Sequence, residues 1–164
     1  MVGLMKKYDV HMCSEVKGCI LNYGEPVNGV RIRRELTYAH SVVEIDETVT
    51  DANGHFSMPE ILITSKKPGD MFVHDVVLQR ITILSNEETY VLWNTKQLGI
   101  EPFKEIEEKL LTLNGDLSSQ EVRFTFPNKK NPSLEFDGLS ICRWENDFEV
   151  FELKESEGYF SDFV

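Results

Sequence analysis

Apolar residues in the first half of the chain recur at every second position or in short runs, and turn residues interrupt them. Val16, Cys19, Ile20 and Leu21 form an apolar run that ends at Asn22-Tyr23-Gly24-Glu25-Pro26. Gly24 tolerates a φ that other residues avoid, and Pro26 fixes its own. Val30 and Ile32 alternate with Arg31 and Arg33, which predicts a half-buried strand. A loop around Ala39-His40-Ser41 leads into Val42-Val43-Glu44-Ile45, and Thr48 and Thr50 then alternate with Glu47 and Val49. Asn53-Gly54 predicts a hairpin turn, because both residues tolerate positive φ and β-formers lie on either side. Phe56 and Met58 alternate with Ser57 until Pro59 breaks or edges the strand.

The second half changes period once. Phe72 to Leu84 and Thr89 to Thr95 are strand-like, with Asn86-Glu87-Glu88 as a hairpin connection. From Pro102 the spacing becomes helical. Phe103, Ile106, Leu110 and Leu113 share one face, with Glu105, Glu107, Glu108 and Lys109 on the other. Acidic first turns and Asn114-Gly115 after the last turn fit the polarity and C-cap of a helix. Val122, Phe124 and Phe126 return to alternation, Lys129-Lys130-Asn131-Pro132 reads as a loop, and Leu134 to Trp144 contains another strand.

Charge adds direction to this pattern. Asp and Glu number 28 against 17 Lys and Arg, a net charge of −11 over 164 residues. That disfavours nucleic acid and anionic lipid, both of which need a positive face, and favours a basic partner. The last twenty residues concentrate the effect: seven carboxylates stand there against Lys154 alone, with five aromatic residues among them. Phe148, Val150 and Phe151 also read as an ordinary final strand. No apolar stretch approaches the roughly 20 residues of a membrane span, and no signal peptide is evident, so the expected address is cytoplasmic. Cys13, Cys19 and Cys142 lack any CxxC spacing and are expected as buried free thiols.

Three segments carry a resemblance. Gly18-Cys19-Ile20, then Gly24-Glu25-Pro26-Val27-Asn28-Gly29-Val30-Arg31-Ile32, then Thr48-Val49-Thr50-Asp51-Ala52-Asn53-Gly54-His55-Phe56-Ser57 resemble the transthyretin-like, carboxypeptidase-regulatory-like β-sandwich family. The resemblance implies three strands joined by two glycine-dependent turns. It also implies a fold that serves adhesion, envelope appendages, hormone carriage and one hydrolase group.

Candidate chemistry is sparse. The hydroxyisourate hydrolase branch of that family relies on a C-terminal Tyr-Arg-Gly-Ser, and this chain ends Tyr159-Phe160-Ser161-Asp162-Phe163-Val164. His11, His40, His55 and His74 have no ligand-like pairing and read as surface or turn residues. Gly138-Leu139-Ser140 lacks the second glycine of a nucleophile elbow. Cys142 beside Arg143 is weighed as an activated thiol against a buried strand cysteine, and the buried cysteine is preferred. Asp51-Ala52-Asn53-Gly54 opens like a calcium loop, but strand-like residues follow it. Arg31, Arg33 and Arg34 read as a solvated strand face opposite Glu44, Asp46 and Glu47.

The expectation is therefore a mainly β chain, a transthyretin-like (prealbumin-like) β-sandwich. One short helix lies near residues 102–113, and extra strands follow it. A single domain spans 1–164, with its core sandwich over about 14–100 and the helix and C-terminal strand extension over about 101–164. The expected function is non-enzymatic binding of a protein with a basic surface, in the manner of a bacterial immunity or antitoxin-like protein. Glu149, Glu152, Glu155 and Asp162 would steer the partner, and Tyr159 and Phe160 would anchor it. No catalytic residue, metal or cofactor is expected. The alternative is a structural or carbohydrate-adhering accessory domain, which follows from the fold resemblance.

Overall fold

The computed structural model describes residues 6–85 and 88–151. The chain is mainly β. In order it forms β1 (Tyr8–Cys13), β2 (Val16–Asn22), β3 (Glu25–Pro26), β4 (Arg31–Tyr38), β5 (Val42–Val49), β6 (His55–Met58) and β7 (Ile61–Ser65). It continues with β8 (Val76–Leu84), β9 (Thr89–Leu98), α1 (Lys104–Leu110), β10 (Gly115–Asp116), β11 (Val122–Phe126), β12 (Phe136–Ser140) and β13 (Glu149–Phe151).

One antiparallel sheet of seven strands has the order β13-β11-β12-β9-β8-β4-β5. Its inner face carries Ile32, Leu36 and Tyr38 from β4, Val77, Ile81 and Ile83 from β8, Trp93 from β9, and Phe124 and Phe126 from β11. Two smaller groups face it: the β1–β7 pair, and β2 with β3, β6 and β10. Val10 and Met12 of β1, Val16 and Ile20 of β2, and Phe56 and Met58 of β6 join the same core cluster. This is a sandwich-like arrangement, driven by apolar area that each face alone would leave in water.

The predicted helix forms at Lys104–Leu110 and buries Ile106 and Leu110. Gly115 is not its C-cap. Gly115 and Asp116 pair in parallel with Ile20 and Leu21, so the chain zips onto β2 directly after the helix. Gly18 makes that approach possible: a Cβ there would lie 2.0 Å from the Leu113 carbonyl oxygen. Asp116 fastens the far end of the run. Its carboxylate accepts the Tyr23 and Gly24 amides and the Ser118 amide and hydroxyl. Those bonds hold its pKa down at about 2.

Several expectations need correction. The turn at Asp51–Gly54 exists, with Gly54 at φ +77° and the Asp51 carboxylate accepting the Asn53 and His55 amides. It does not close a hairpin, because β5 pairs with β4 and β6 pairs with β2. The carboxylate is thereby occupied in turn formation. The core begins ahead of residue 14, at β1, and β7 was also unforeseen. Phe72 belongs to a loop, and the strand after it starts at Val76. The β8–β9 hairpin does form, with Leu84 opposite Thr89. Arg31 and Arg33 do meet the acidic strand, through Glu47. Arg34, by contrast, is wholly buried and makes a bidentate pair with Asp46 at 2.9 and 2.7 Å. Cys13 and Cys142 are buried free thiols, whereas Cys19 is half-exposed.

The layers are tied by one amide. Gln79, buried on β8, donates to the Met12 carbonyl at 2.9 Å and accepts from Trp93 Nε1 at 3.0 Å. Gln79→Ala would leave a buried carbonyl and a buried indole N–H unpaired, which costs about 3 kcal/mol. Urea unfolding of the variant is expected to show that loss, and a loss below about 1 kcal/mol would assign the tie elsewhere.

Candidate functional site

A cleft of about 470 Å³ lies between α1 and the Arg143–Asp147 connection. Lys109 forms its floor. The sequence places Lys109 on the polar face of the helix, but the residue is only 5% exposed. It lies three positions after Ile106 and four before Leu113, within the apolar stripe, and that spacing is the signal that could have found it. Its Nζ stands 5.0 Å from the Phe126 ring and 5.3 Å from the Trp144 ring, and donates to the Asn146 carbonyl at 3.3 Å. Trp144 Nε1 donates back to the Lys109 carbonyl at 3.3 Å. Desolvation lowers the Lys109 pKa, and Asp147 and Glu108 oppose that shift. The two aromatic faces favour the ammonium form as well.

The rim is acidic: Glu105, Glu108, Glu145 and Asp147 line it. Glu105 is partly engaged, accepting the Lys129 amide at 2.8 Å, and Glu108 has a long pair with Lys104 at 3.9 Å. Arg143, also at the cleft, spends its donors on the Ile141, Cys142 and Gln120 carbonyls. Its charge pulls the neighbouring thiol down, but desolvation outweighs that pull. Burial pushes Cys142 up to about 12, so the preferred reading of a buried cysteine holds.

The wall behind the cleft is aromatic. Trp144 meets Trp93 edge-on at 6.0 Å and lies 5.2 Å from Phe124 and 5.5 Å from Phe148. Phe148 is thus part of the packing. After it, β13 pairs with β11 at the sheet edge and exposes Glu149, Val150 and Phe151. Of the residues expected to bind a partner, Glu149 stands exposed on β13, continuing the acidic run of Glu145 and Asp147. Glu152, Glu155, Tyr159, Phe160 and Asp162 lie outside the described residues. Sequence reasoning missed the contribution of α1 to this acidic side.

A second cluster surrounds His11. His40, His55 and His74 are exposed, as expected, but His11 is buried on β1. Its Nε2 lies 3.1 Å from Ser14 Oγ and 3.4 Å from Glu60 Oε1, and Ser14 Oγ donates to Glu107 at 3.5 Å. This is not a hydrolytic relay. Glu60 stands on the same ring nitrogen as the serine, while Nδ1 is buried with no partner among the described residues. Ser140, of the discarded elbow, is fully buried in β12 and accepts the Cys142 amide at 2.8 Å. Among the described residues no helix is long and apolar enough to cross a membrane.

A family model described as "Domain of unknown function (DUF6795)" matches residues 16–120. No curated protein and no solved structure matches the chain. The matched segment contributes α1 to the cleft, whereas Phe126 of β11 and the Arg143–Asp147 connection come from the chain after it.

Two measurements follow from these contacts. Lys109→Ala removes a buried stem and two cation–π contacts and is expected to cost about 1–2 kcal/mol, with a red shift of tryptophan emission as Trp144 loosens. Lys109→Met keeps the stem and should recover part of that loss. Burial lowers the His11 pKa below 6.5, against the opposing pull of Glu60, Glu107 and Glu101. The unfolded chain therefore takes up its proton first as pH falls. This contribution to stability is full above 6.5 and declines below it. Urea midpoints at about pH 7.5 and 5.5 should fall more for the natural protein than for His11→Gln, and equal slopes would exclude His11 as the source.

Proposed function

The chain belongs to the family described as a domain of unknown function (DUF6795), and from the geometry of its acidic side we propose that it is a non-enzymatic protein-binding module that neutralises a partner with a basic surface. The proposal includes the transthyretin-like assignment, supported by the Gly18–Ile20, Gly24–Ile32 and Thr48–Ser57 segments. In its most concrete form the protein acts as a cytoplasmic bacterial immunity or antitoxin-like protein.

The observation that carries the reading is the placement of four carboxylates around an aromatic-walled cleft, next to β13, the edge strand of the large sheet among the described residues. Carboxylates at a rim steer a cationic surface, and an aromatic wall offers area for one or two anchoring side chains. Among the described residues no strand pairs with the outer side of β13, which offers a partner strand an edge to extend. Glu149 contributes to both features. Glu152, Glu155, Tyr159, Phe160 and Asp162 extend the same acidic and aromatic chemistry in sequence.

The test compares three proteins in affinity capture from native lysate at low salt, read by mass spectrometry. They are the full chain, the chain ending at Phe151, and Glu108→Lys/Glu145→Lys. Truncation at Phe151 spares Phe148, which a cut at residue 144 would remove from the packing around Trp144. A basic protein retained by the full chain is expected to bind at least about tenfold more weakly to the charge-reversed variant. Retention that ignores both the reversal and added salt would remove the acidic side as the docking surface.

A further inference from the structure

The face of the large sheet turned away from the core differs in charge from the chain as a whole. Side chains directly opposite one another on paired antiparallel strands share a face. One such row crosses six strands: Glu35 on β4, Arg80 on β8, Asn94 on β9, Leu139 on β12, Arg123 on β11 and Phe151 on β13. Thr37, Leu78 and Lys96 share the next row on that face. Leu78, Lys96, Arg123, Asp137 and Leu139 line a groove of about 320 Å³ there. The outward side chains of the sheet include Arg31, Arg33, Arg80, Lys96 and Arg123 against Glu35, Glu47, Asp137 and Glu149, a balance of +1 (five minus four) on a chain of −11. Arg33 meets Glu35, Arg31 and Arg33 meet Glu47, and Arg123 meets Asp137. Arg80 and Lys96 are exposed and have no ion pair among the described residues.

Phe151 closes the outward row at the edge strand, and 13 residues follow it in sequence (164 minus 151). Residues 152–164 lie outside the described residues. They carry Glu152, Glu155, Glu157 and Asp162 against Lys154, together with Leu153, Tyr159, Phe160 and Phe163. At about 3.3 Å per residue they reach up to about 43 Å. Seven strands about 4.8 Å apart span only about 29 Å. A segment tethered at the edge of a face meets that face at an effective concentration near the millimolar range, so a weak contact is enough to seat it.

We propose that residues 152–164 fold back across the outward face of the large sheet, with their carboxylates against Arg80 and Lys96 and their aromatic side chains over the groove between Leu78 and Leu139. Three observations select this segment as the occupant. Its anchor, Phe151, stands on the outward row; its net charge of −3 (one minus four) opposes the two free cations; and its length exceeds the span. The fold-back does not depend on reading the α1 cleft as a docking surface. Only one consequence rests on that reading: a basic partner would compete with the sheet for Glu152, Glu155, Tyr159, Phe160 and Asp162.

The test exposes the full chain to a protease that cuts after glutamate and reads cleavage after Glu157 by mass spectrometry, as loss of residues 158–164. A synthetic peptide of residues 150–164 sets the unprotected rate. At about 0.05 M salt the full chain is expected to be cut at least about tenfold more slowly than the peptide, and the difference should shrink by about 0.5 M. Arg80→Glu/Lys96→Glu should remove the protection. Both side chains are exposed, so that variant should keep the natural urea midpoint. Adding Glu152→Lys/Glu155→Lys to it should restore protection, measured against the matching peptide. Cleavage of the natural chain at the peptide's rate overturns the proposal, as does protection that survives Arg80→Glu/Lys96→Glu, or a charge swap that restores none. Arg80 and Lys96 lie on the opposite face of the sheet from the buried Phe126, so none of these outcomes depends on capture through the α1 rim, and the two readings fail separately.

Discussion

The side-chain amide of Gln79 is the contact on which the remaining geometry depends. Trp93 Nε1 can only donate, so the amide oxygen must face it, and the amide nitrogen is left for the Met12 carbonyl. Its orientation is therefore set by chemistry. One side chain then fixes two things: the distance of β1 from the large sheet, and the rotation of Trp93. Because Trp93 meets Trp144 edge-on, that rotation passes to the wall of the cleft. A buried polar group in an apolar core is costly unless satisfied, and here both halves of the amide are satisfied by groups from different layers.

A second constraint is close backbone approach. Gly18 lets the Leu113 carbonyl come within the space a side chain would fill, and Gly115 packs against Leu92 and Ile141. Together they bring the end of α1 onto β2. Gly138, opposite Thr95 and Phe124 in the large sheet, leaves room for the Phe124 ring. The helix and the aromatic wall thus reach their positions because glycines stand where two backbones, or a backbone and a ring, must nearly touch. The task of Gly18 here is proximity rather than a turn.

These constraints explain what could be read from the sequence. β8 and β9 stood out as strand-like runs, and alternation exposed β4 and β11. It hid β1, where Val10, His11, Met12 and Cys13 are all buried and no period survives. Asn53-Gly54 announced a turn correctly, but a local signal cannot say which sheet the next strand will join. Lys109 and Arg34 were read as surface residues because charge usually means exposure. One lies over two rings, and the other holds both oxygens of Asp46. Partners so distant in sequence, or so specific in geometry, leave no periodic trace. The candidate site was half legible. Composition pointed to the acidic C-terminal stretch and to Glu149. The opposite wall, Glu105 and Glu108 on α1, became part of the site only through the zipper that Gly18 permits.

The distribution of charge gives the net value of −11 its meaning. On the large sheet four carboxylates are matched: Asp46 with Arg34, Glu47 with Arg31 and Arg33, Glu35 with Arg33, and Asp137 with Arg123. Such pairs cancel at a distance and add little stability at the surface. Around α1 the balance differs. Glu145 and Asp147 have no ion pair among the described residues; Arg143 at the cleft donates to backbone carbonyls, and Lys109 is turned inward onto aromatic faces. An inward lysine stabilises the packing while withdrawing its charge from the rim, so the carboxylates above it face solvent less compensated than their number alone implies. The same residue therefore links core to surface. It closes the floor of the cleft and leaves the mouth negative, an arrangement that suits an incoming cation better than an incoming anion.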